Sequence, residues 1–283
     1  MVITSEILTI QNLEIARHII TNSQTIAICG HKNPDGDSIG ALLSLGLGLE
    51  SIGKTVFMVC EDPVPLQYQA LPGVSKILKN LHRTVDIAIA VDCGSKDMIG
   101  SNYEIFERAN AVIEIDHHRS RTPFGEISLV DPNASSAGEL VYQLLEMLDI
   151  PITIQIAQNI LTSLIVETNS FRLPGIRYRT FQICAELLKT GVDFYKLSEA
   201  VYWITSKATA LLSGACMSKC KFSSSGEIVW ATLSLSDYKK AGASDADADP
   251  IAEKLRAIQG VKIAILFRER TDKLLRVSMR SKE

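Results

Sequence analysis

The chain has 283 residues, of which 46% are hydrophobic and 22% are charged, and its 29 Lys and Arg against 32 Asp and Glu give a net charge of −3. At roughly 150 residues per domain, this length predicts about two domains, each able to bury a core. The slightly acidic balance argues against a protein that coats long nucleic acid through a basic surface, and it leaves open a small anionic substrate at one local site.

The N-terminal sequence MVITSEILTIQNLEIARHII predicts an amphipathic helix, because it lacks the basic start, unbroken apolar core and cleavage site of a signal peptide. No apolar stretch approaches the roughly 18 residues of a membrane span, so no membrane association is expected. The six cysteines lie mostly within apolar runs, which predicts buried free thiols in a reducing cytoplasm. Cys216 and Cys220 are one helical turn apart, but no second Cys or His pair accompanies them, so a zinc site is not expected there.

Short β-branched runs alternate with helical patterns over the first two-thirds of the chain. The apolar runs predict strands at 25–30, 55–60, 85–94 and 111–118. Nearly continuous apolar strands that are separated by helical segments indicate a parallel sheet buried on both faces. Helices are predicted in SIGALLSLGLGLESIG and at 135–149, 152–168 and 179–190. The fold class is therefore α/β, with a mostly parallel, doubly wound sheet.

The pattern changes after about residue 190 and predicts a smaller C-terminal α/β domain. Helices are predicted in DFYKLSEAVYWI, KATALLSGACMSKC and PIAEKLRAIQG, and strands in EIVWATLSLS, VKIAILFRE and LLRVSMRS. The acidic run DADADP is interpreted as a turn that places negative charge at a helix N-terminus. We expect domains at 1–192 and 211–283, joined by a helical linker at 193–210.

Polar side chains follow three of the predicted strands, at the edge where ligands bind to open parallel sheets. They comprise four carboxylates and three of the five histidines: His31, Asp35, Asp37, Asp92, Asp116, His117 and His118. Each residue alone is explained by a turn, a helix cap or surface polarity. Together, however, the carboxylates would repel one another and raise one another's pKa values. A bound cation relieves this repulsion, so the pattern predicts a metal site.

The ligand types indicate which metals this site would hold. The set is rich in oxygen, includes imidazole and lacks thiolate, which suits Mn²⁺ or Mg²⁺, with Co²⁺ or Zn²⁺ as substitutes. There are more ligands than one octahedral ion needs, so two ions roughly 3.5–4 Å apart, bridged by one carboxylate, are the economical arrangement. Such a pair activates a water and neutralises charge on a phosphoryl oxygen. The predicted reaction is metal-assisted phosphoester hydrolysis.

At these residues the sequence resembles the DHH phosphoesterase family. HKNPDGDSIGALLSLG resembles the first motif of that family, VDCG the second and EIDHH the third, in the same order and spacing. Within the family, DPNASSAGELVYQLL and VSMRS resemble the two-domain oligoribonuclease (nano-RNase) and pAp-phosphatase branch, whose members are also called exopolyphosphatase-related or RecJ-like. The resemblance runs through most of the chain.

The resemblance implies two Mn²⁺ ions, with Mg²⁺ or Co²⁺ as possible replacements. His31, Asp35 and Asp92 would hold the first ion. Asp37, Asp92 and His117 would hold the second, so that Asp92 bridges the two.

The resemblance also implies roles around the substrate. His118 would face the substrate phosphate, and Asp116 would orient the adjacent imidazoles. The second domain would bind nucleotide, with Arg280 as a phosphate contact. Members of the family often form homodimers, which makes a homodimer an expectation here.

One departure from the family pattern concerns its fourth motif, Asp-Thr-Gly-Ser-Phe, which here begins with Glu167 and continues to Phe171. Glu167 still offers a carboxylate, so it is a candidate ligand of the second ion. Because its side chain is one methylene longer than that of Asp, it would bind from a shifted backbone or with a different denticity. The remaining alternative is that the second metal site is weak. Arg172 is interpreted either as a phosphate contact or as a solvated residue at a helix end.

A second departure concerns the C-terminal domain. Members of this branch continue past the VSMRS-like strand into a glycine-rich segment that ends in His, whereas this sequence stops at Glu283. The resemblance therefore predicts an incomplete substrate-binding domain.

Three functions remain open from the sequence. The leading one is a cytoplasmic Mn²⁺-dependent phosphoesterase for short, single-stranded 5′-phosphorylated oligonucleotides or nucleotides such as pAp and linear dinucleotides. Residues 262–283 carry seven Lys and Arg against three Asp and Glu, which suits a small anionic ligand. The alternatives are a pyrophosphatase or exopolyphosphatase, and a non-catalytic, metal-stabilised nucleotide binder. The aromatic residues Tyr202, Trp203 and Trp230, which could stack on a nucleobase, are predicted to belong to the core instead.

Overall fold

The computed structural model describes residues 10–203, 205–271 and 273–282. The chain divides into two compact units, with the boundary between Trp203 and Ile204. The first half of the predicted N-terminal helix, residues 1–9, lies outside the described residues, and the helix is seen as α1 (Ile10–Asn22).

The first unit is built on a five-stranded sheet in the order β2-β1-β3-β4-β5, in which every neighbouring pair is parallel. The predicted parallel α/β fold is confirmed. The sequence missed the last strand, because Ser128 interrupts a run of only four residues. The strands are β1 (Thr25–Cys29), β2 (Thr55–Val59), β3 (Ile87–Val91), β4 (Ala111–Asp116) and β5 (Ile127–Val130).

The helices of this unit follow the predicted ones closely, with two short additions between β3 and β4. A π-helical turn, Glu199–Trp203, ends the unit. Three short 3₁₀ segments, Leu66–Tyr68, Val74–Lys76 and Gly100–Tyr103, lie in the connections. The α-helices after α1 are α2 (Gly36–Ser51), α3 (Lys96–Ile99), α4 (Glu104–Arg108), α5 (Ala137–Met147), α6 (Ile154–Glu167), α7 (Tyr178–Leu188) and α8 (Phe194–Ser198).

The two faces of the sheet are buried by side chains of different size. Successive residues of a strand point to opposite faces, so Ile26 and Ile28 pack into the larger core, to which α1, α2, α5 and α6 contribute. Ala27 and Ala88 point the other way, into a smaller core that contains Phe106 of α4. Small side chains on this second face leave room for the short helices that cover it.

The second unit contains a four-stranded sheet in the order β6-β7-β8-β9, in which only the β7–β8 pair is parallel. Its strands are β6 (Lys221–Phe222), β7 (Ile228–Leu233), β8 (Ile263–Glu269) and β9 (Leu275–Ser281), and its helices are α9 (Lys207–Lys219), α10 (Leu235–Ala241) and α11 (Ile251–Arg256). The sequence analysis extended β7 too far and missed α10. The reason is that Ser234 forms a capping box with Asp237, which ends the strand and starts a helix.

The aromatic residues considered as core differ in their placement. Trp203 is 71% exposed, so its assignment to the core is wrong. Its ring lies edge-on to Tyr195 at 6.1 Å between centroids, on the outside of the π-helical turn. Tyr202 and Trp230 are half-buried, and the Tyr202 hydroxyl donates to the carbonyl of Ile165.

The cysteines are free thiols, as predicted; Cys220 is half-buried and the other five are buried. Among the described helices, none combines the length and the apolar character that crossing a bilayer requires.

Helices α2 and α6 approach each other closely at Gly40. A Cβ atom at this position would lie 2.5 Å from the Asn159 carbonyl oxygen and 2.9 Å from the Ser163 amide nitrogen. Because both are backbone atoms, displacing them would cost more free energy than displacing the end of a flexible side chain. We expect Gly40→Ala to lower the free energy of unfolding by about 1–3 kcal/mol, measured by urea denaturation. The control is Gly214→Ala in α9, where nothing lies within 4 Å and a gain of about 0.5–1 kcal/mol is expected. Wild-type stability of Gly40→Ala would contradict the close approach.

Candidate metal centre

Three parallel strands deliver polar side chains to one edge of the sheet. His31 follows β1, Asp92 follows β3, and Asp116 is the last residue of β4, with His117 and His118 after it. Two helices add carboxylates: Asp37 lies in the first turn of α2, and Glu167 is the last residue of α6. Among the described residues, the following groups bring ligand atoms within 4.8 Å of one another: His31, Asp35 and Asp92; Asp37, His117 and Glu167; Asp92, His117 and His118.

The first group is centred on His31. Its Nε2 lies 3.4 Å from Asp92 Oδ2 and 3.8 Å from Asp35 Oδ1. Its Nδ1 lies 2.9 Å from the Lys32 carbonyl oxygen, which can only accept, so in the neutral ring the proton is on Nδ1 and Nε2 offers a lone pair. Asp35 also caps α2, because its Oδ1 accepts from the amides of Asp37 and Ser38.

The second group is centred on His117. Its Nε2 lies 3.3 Å from Asp37 Oδ2, 3.6 Å from Asp92 Oδ1 and 3.8 Å from Glu167 Oε1. Its Nδ1 faces the Ala134 carbonyl oxygen at 3.3 Å, so here too Nε2 is the nitrogen left for a ligand. Glu167, the first residue of the segment that resembles the fourth motif, thus lies close to His117 and Asp37.

Asp92 links the two groups, because one of its oxygens faces His31 and the other faces His117. Its backbone has a φ of 58°, in the left-handed region that residues other than glycine seldom adopt. This conformation carries a cost of about 1–3 kcal/mol and is held by the amide of Asp92, which donates to the Ile115 carbonyl at 2.8 Å.

The donor set fits a divalent cation. Asp92 Oδ1 and His117 Nε2 are buried and have no hydrogen-bond partner among the described residues. Leaving such atoms unpaired costs about 1–3 kcal/mol each, and a cation between them would remove that cost. Carboxylate oxygens with imidazole nitrogens and no thiolate are the ligands that Mn²⁺ and Mg²⁺ accept.

The pKa values of the histidines reflect the nearby carboxylates. Burial alone would lower the pKa of His31, but the Asp92 carboxylate outweighs it and raises the pKa to about 9. Burial likewise opposes protonation of His117, and the contact with Asp37 raises its pKa to about 10.

The carboxylates divide into two kinds. Burial, and then the charge of Asp37, raises the pKa of both Asp92 and Glu167. Burial would raise the pKa of Asp37 as well, but His117, Ser163 and the Ala137 amide together lower it. Of these three carboxyl groups, Asp37 is the one whose pKa lies below its ordinary value.

His118 is held by Asp116. Its Nδ1 lies 2.7 Å from Asp116 Oδ1, and this contact raises the pKa of His118 against the effect of burial. The Nε of Arg121 lies 3.9 Å from the other oxygen of Asp116, and Arg121 donates to Glu114 Oε2 at 2.8 Å. The sequence analysis missed Arg121; the signal that could have found it is Glu114, a carboxylate in the apolar strand AVIEID.

The two predicted phosphate contacts are paired with other groups. The guanidinium of Arg172 donates to the carbonyl and side-chain oxygens of Asn169, at 2.7 and 2.6 Å. Arg280, in the second unit, donates to Glu253 Oε1 at 2.7 Å.

The family model described as "DHH family, N-terminal domain" matches residues 25–166, which is half of the chain. The chain belongs to the DHH family. The matched range contains every residue of the three groups except Glu167, which follows it directly. The resemblance noted in the sequence is confirmed, and with it the prediction that the chain is a hydrolase of a metal-dependent family.

Several relatives resemble the chain over most of its length. The bifunctional oligoribonuclease and PAP phosphatase NrnA of Thermus thermophilus is 29% identical, over 91% of this chain and 76% of that protein. The NrnA protein of Bacillus subtilis is 24% identical, over 91% of this chain and 82% of that protein. An exopolyphosphatase-related protein of Bacteroides fragilis shares the fold, with a TM-score of 0.91 and 23% identity over 99% of this chain and 86% of that one.

The charges of this site predict how the stability of the metal-free protein depends on pH. Raised pKa values at His31, His117, Asp92 and Glu167 mean that the folded state binds more protons than the unfolded state in the range from about pH 4 to pH 10. The stability contributed by the histidines is present below their unfolded pKa and is lost as the pH rises through about 9 and 10. The raised pKa values of Asp92 and Glu167 also make the stability of the folded state decrease as the pH rises.

We therefore expect the melting temperature of the EDTA-treated protein to fall between about pH 6 and pH 9, as measured by calorimetry. Added Mn²⁺ should offset the fall, because metal binding requires deprotonated ligands. A melting temperature that rises over this range in EDTA would contradict the predicted sign.

Proposed function

We propose that the chain is a Mn²⁺-dependent phosphoesterase that hydrolyses short 5′-phosphorylated oligonucleotides or nucleotides such as pAp. The observation that carries this proposal is Asp92, a buried carboxylate whose two oxygens face the imidazoles of two different ligand groups. The substrate class is supported by relatives named as oligoribonucleases and PAP phosphatases, which match most of the chain.

In this proposal His31, Asp35 and Asp92 hold one cation. Asp37, His117 and Glu167 hold a second, with Asp92 shared between them. When bound, the two cations would lower the pKa of a water and supply positive charge for a phosphoryl oxygen.

His118 is the proposed proton donor. Asp116 accepts at Nδ1 of His118, which fixes the ring and favours its protonated form. The opposite nitrogen, Nε2, then carries a proton that it can donate to the leaving oxygen of the substrate. The imidazole is 41% exposed, so it is accessible to a substrate, whereas Asp116 is fully buried and acts by orienting His118.

The second unit is proposed to be the substrate-binding domain, with Arg280 as a phosphate contact, and Arg172 is proposed as a second contact beside Glu167. Arg280 already donates to Glu253 and Arg172 to Asn169, so a substrate phosphate would have to share or replace these hydrogen-bond partners.

Asp92→Asn tests the bridging role with little change in side-chain volume. Using pAp, a 5′-phosphorylated dinucleotide and tripolyphosphate with Mn²⁺, we expect the wild type to prefer the nucleotides. We expect the variant to lose about a thousandfold in kcat/KM, which corresponds to roughly 4 kcal/mol. The matched control is Asp149→Asn, an exposed aspartate whose left-handed backbone Asn also tolerates. Normal turnover by Asp92→Asn would refute the bridge, and turnover of tripolyphosphate alone would refute the substrate class.

Glu167→Asp tests whether the longer side chain is needed. Because aspartate offers the same carboxylate, we expect the Mn²⁺ affinity, measured by isothermal titration calorimetry, to stay the same or to increase. Glu186→Asp, in an exposed ion pair with Lys189, is the control. A large loss of affinity in Glu167→Asp alone would mean that the site is built for glutamate.

A further inference from the structure

The carboxylate of Asp37 is held by three donors from two other helices. It is fully buried. Its Oδ2 accepts from the amide of Ala137 at 3.0 Å, while its Oδ1 accepts from the amide of Gly138 at 3.3 Å and from the hydroxyl of Ser163 at 2.5 Å. The two amides belong to the first turn of α5, where free N–H groups and the helix dipole favour an anion.

Ser163 makes the shortest of these contacts. Its hydroxyl oxygen also lies 2.9 Å from Ser136 Oγ and accepts from the Gly138 amide at 3.0 Å. A hydroxyl has one proton, and a contact with a charged carboxylate is shorter and stronger than one with a neutral hydroxyl. The proton of Ser163 therefore goes to Asp37 Oδ1.

This arrangement leaves the two oxygens of Asp37 with different roles. Oδ1 is occupied by two donors of the protein. Oδ2 has one donor and is the atom that faces His117 Nε2, at 3.3 Å. Asp37 can therefore offer a cation one oxygen, in one direction.

We propose that Ser163 is a positioning residue of the second cation site, whose hydroxyl engages Asp37 Oδ1 and so directs Oδ2 toward His117 and Glu167. This inference rests on the proposed function, because it assumes that Asp37, His117 and Glu167 hold a cation. Ser163 and Glu167 are four residues apart on α6, on the same helix face. One helix thus supplies both a proposed ligand and the group that orients another.

The side chain of Ser163 packs closely against two glycines, Gly138 and Gly40. A Cβ atom added at Gly138 would lie 2.1 Å from Ser163 Oγ, so this hydroxyl fits only because residue 138 is glycine. On the other side, a Cβ at Gly40 would lie 3.0 Å from Ser163 Cβ. The Ser163 hydroxyl thus occupies space that a side chain at residue 138 would fill.

The test compares Ser163→Ala with Ser44→Ala. Ser44 is an equally buried helical serine, but its hydroxyl donates only to the Ala41 carbonyl within α2. Each metal-free protein is titrated with Mn²⁺ by calorimetry and by electron paramagnetic resonance, and its urea unfolding is recorded. We expect the wild type and Ser44→Ala to bind two Mn²⁺ ions. We expect Ser163→Ala to bind one of them about 10–100-fold more weakly and the other unchanged, with kcat reduced more than KM is changed.

Gly138→Ala provides a second approach, because it keeps the hydroxyl of Ser163 but displaces it. We expect the same selective weakening of one Mn²⁺ ion. Wild-type affinity for both ions in folded Ser163→Ala would overturn the inference and leave the proposed function intact. Equal weakening of both ions would also overturn it, since that result indicates general damage. A wild-type protein that binds no Mn²⁺ would refute the inference and the proposed function together.

Discussion

Repulsion among the carboxylates at the end of the parallel sheet is the constraint on which the first unit depends. A protein can gather such groups only if each negative charge is met by a proton, a hydrogen-bond donor or a cation. Asp37 accepts hydrogen bonds from the first turn of α5 and from Ser163. Asp116 contacts His118, and the guanidinium of Arg121 lies nearby. Asp92 and Asp116 each keep one buried oxygen that has no hydrogen-bond donor among the described residues. The oxygen of Asp92 lies 3.6 Å from His117 Nε2, between the two ligand groups.

The sequence predicted those parts of the fold and of the candidate site that depend on residues close together in the chain. Strands β1 to β4 are apolar runs, and most of the candidate ligands directly follow a strand or open a helix, so a local pattern was enough. The sequence analysis did not predict the role of Ser163, because its partner Asp37 lies 126 positions away. A single serine within an apolar helix gives no sequence pattern that would indicate such a contact. Strand β5 was missed for a related reason. Ser128 interrupts its apolar pattern, and only the structure shows that the Ser128 hydroxyl donates to the buried Glu114.

In the second unit, charges that looked available in the sequence are largely engaged with one another. Arg268 is 1% exposed and donates to Asp249 at 2.7 Å, which ties the acidic run before α11 to β8. Arg276 pairs with Asp245 and Arg280 with Glu253. The positive bias of residues 262–283 is thus balanced by acidic residues elsewhere in the unit. Net charge counted along a segment says little about the field around it once such pairs have formed.

The left-handed backbone at Asp92 has a consequence for how this site can vary among related proteins. Asparagine, aspartate and glycine adopt such a φ most readily, and of these only aspartate carries a negative charge. Glutamate would keep the charge but would be poorly suited to that backbone. Residue 167 lies in the last turn of a regular helix, where either acid is acceptable. Exchange between the two acids is therefore expected to cost less at position 167, where the sequence differs from the family motif that it resembles, than at position 92.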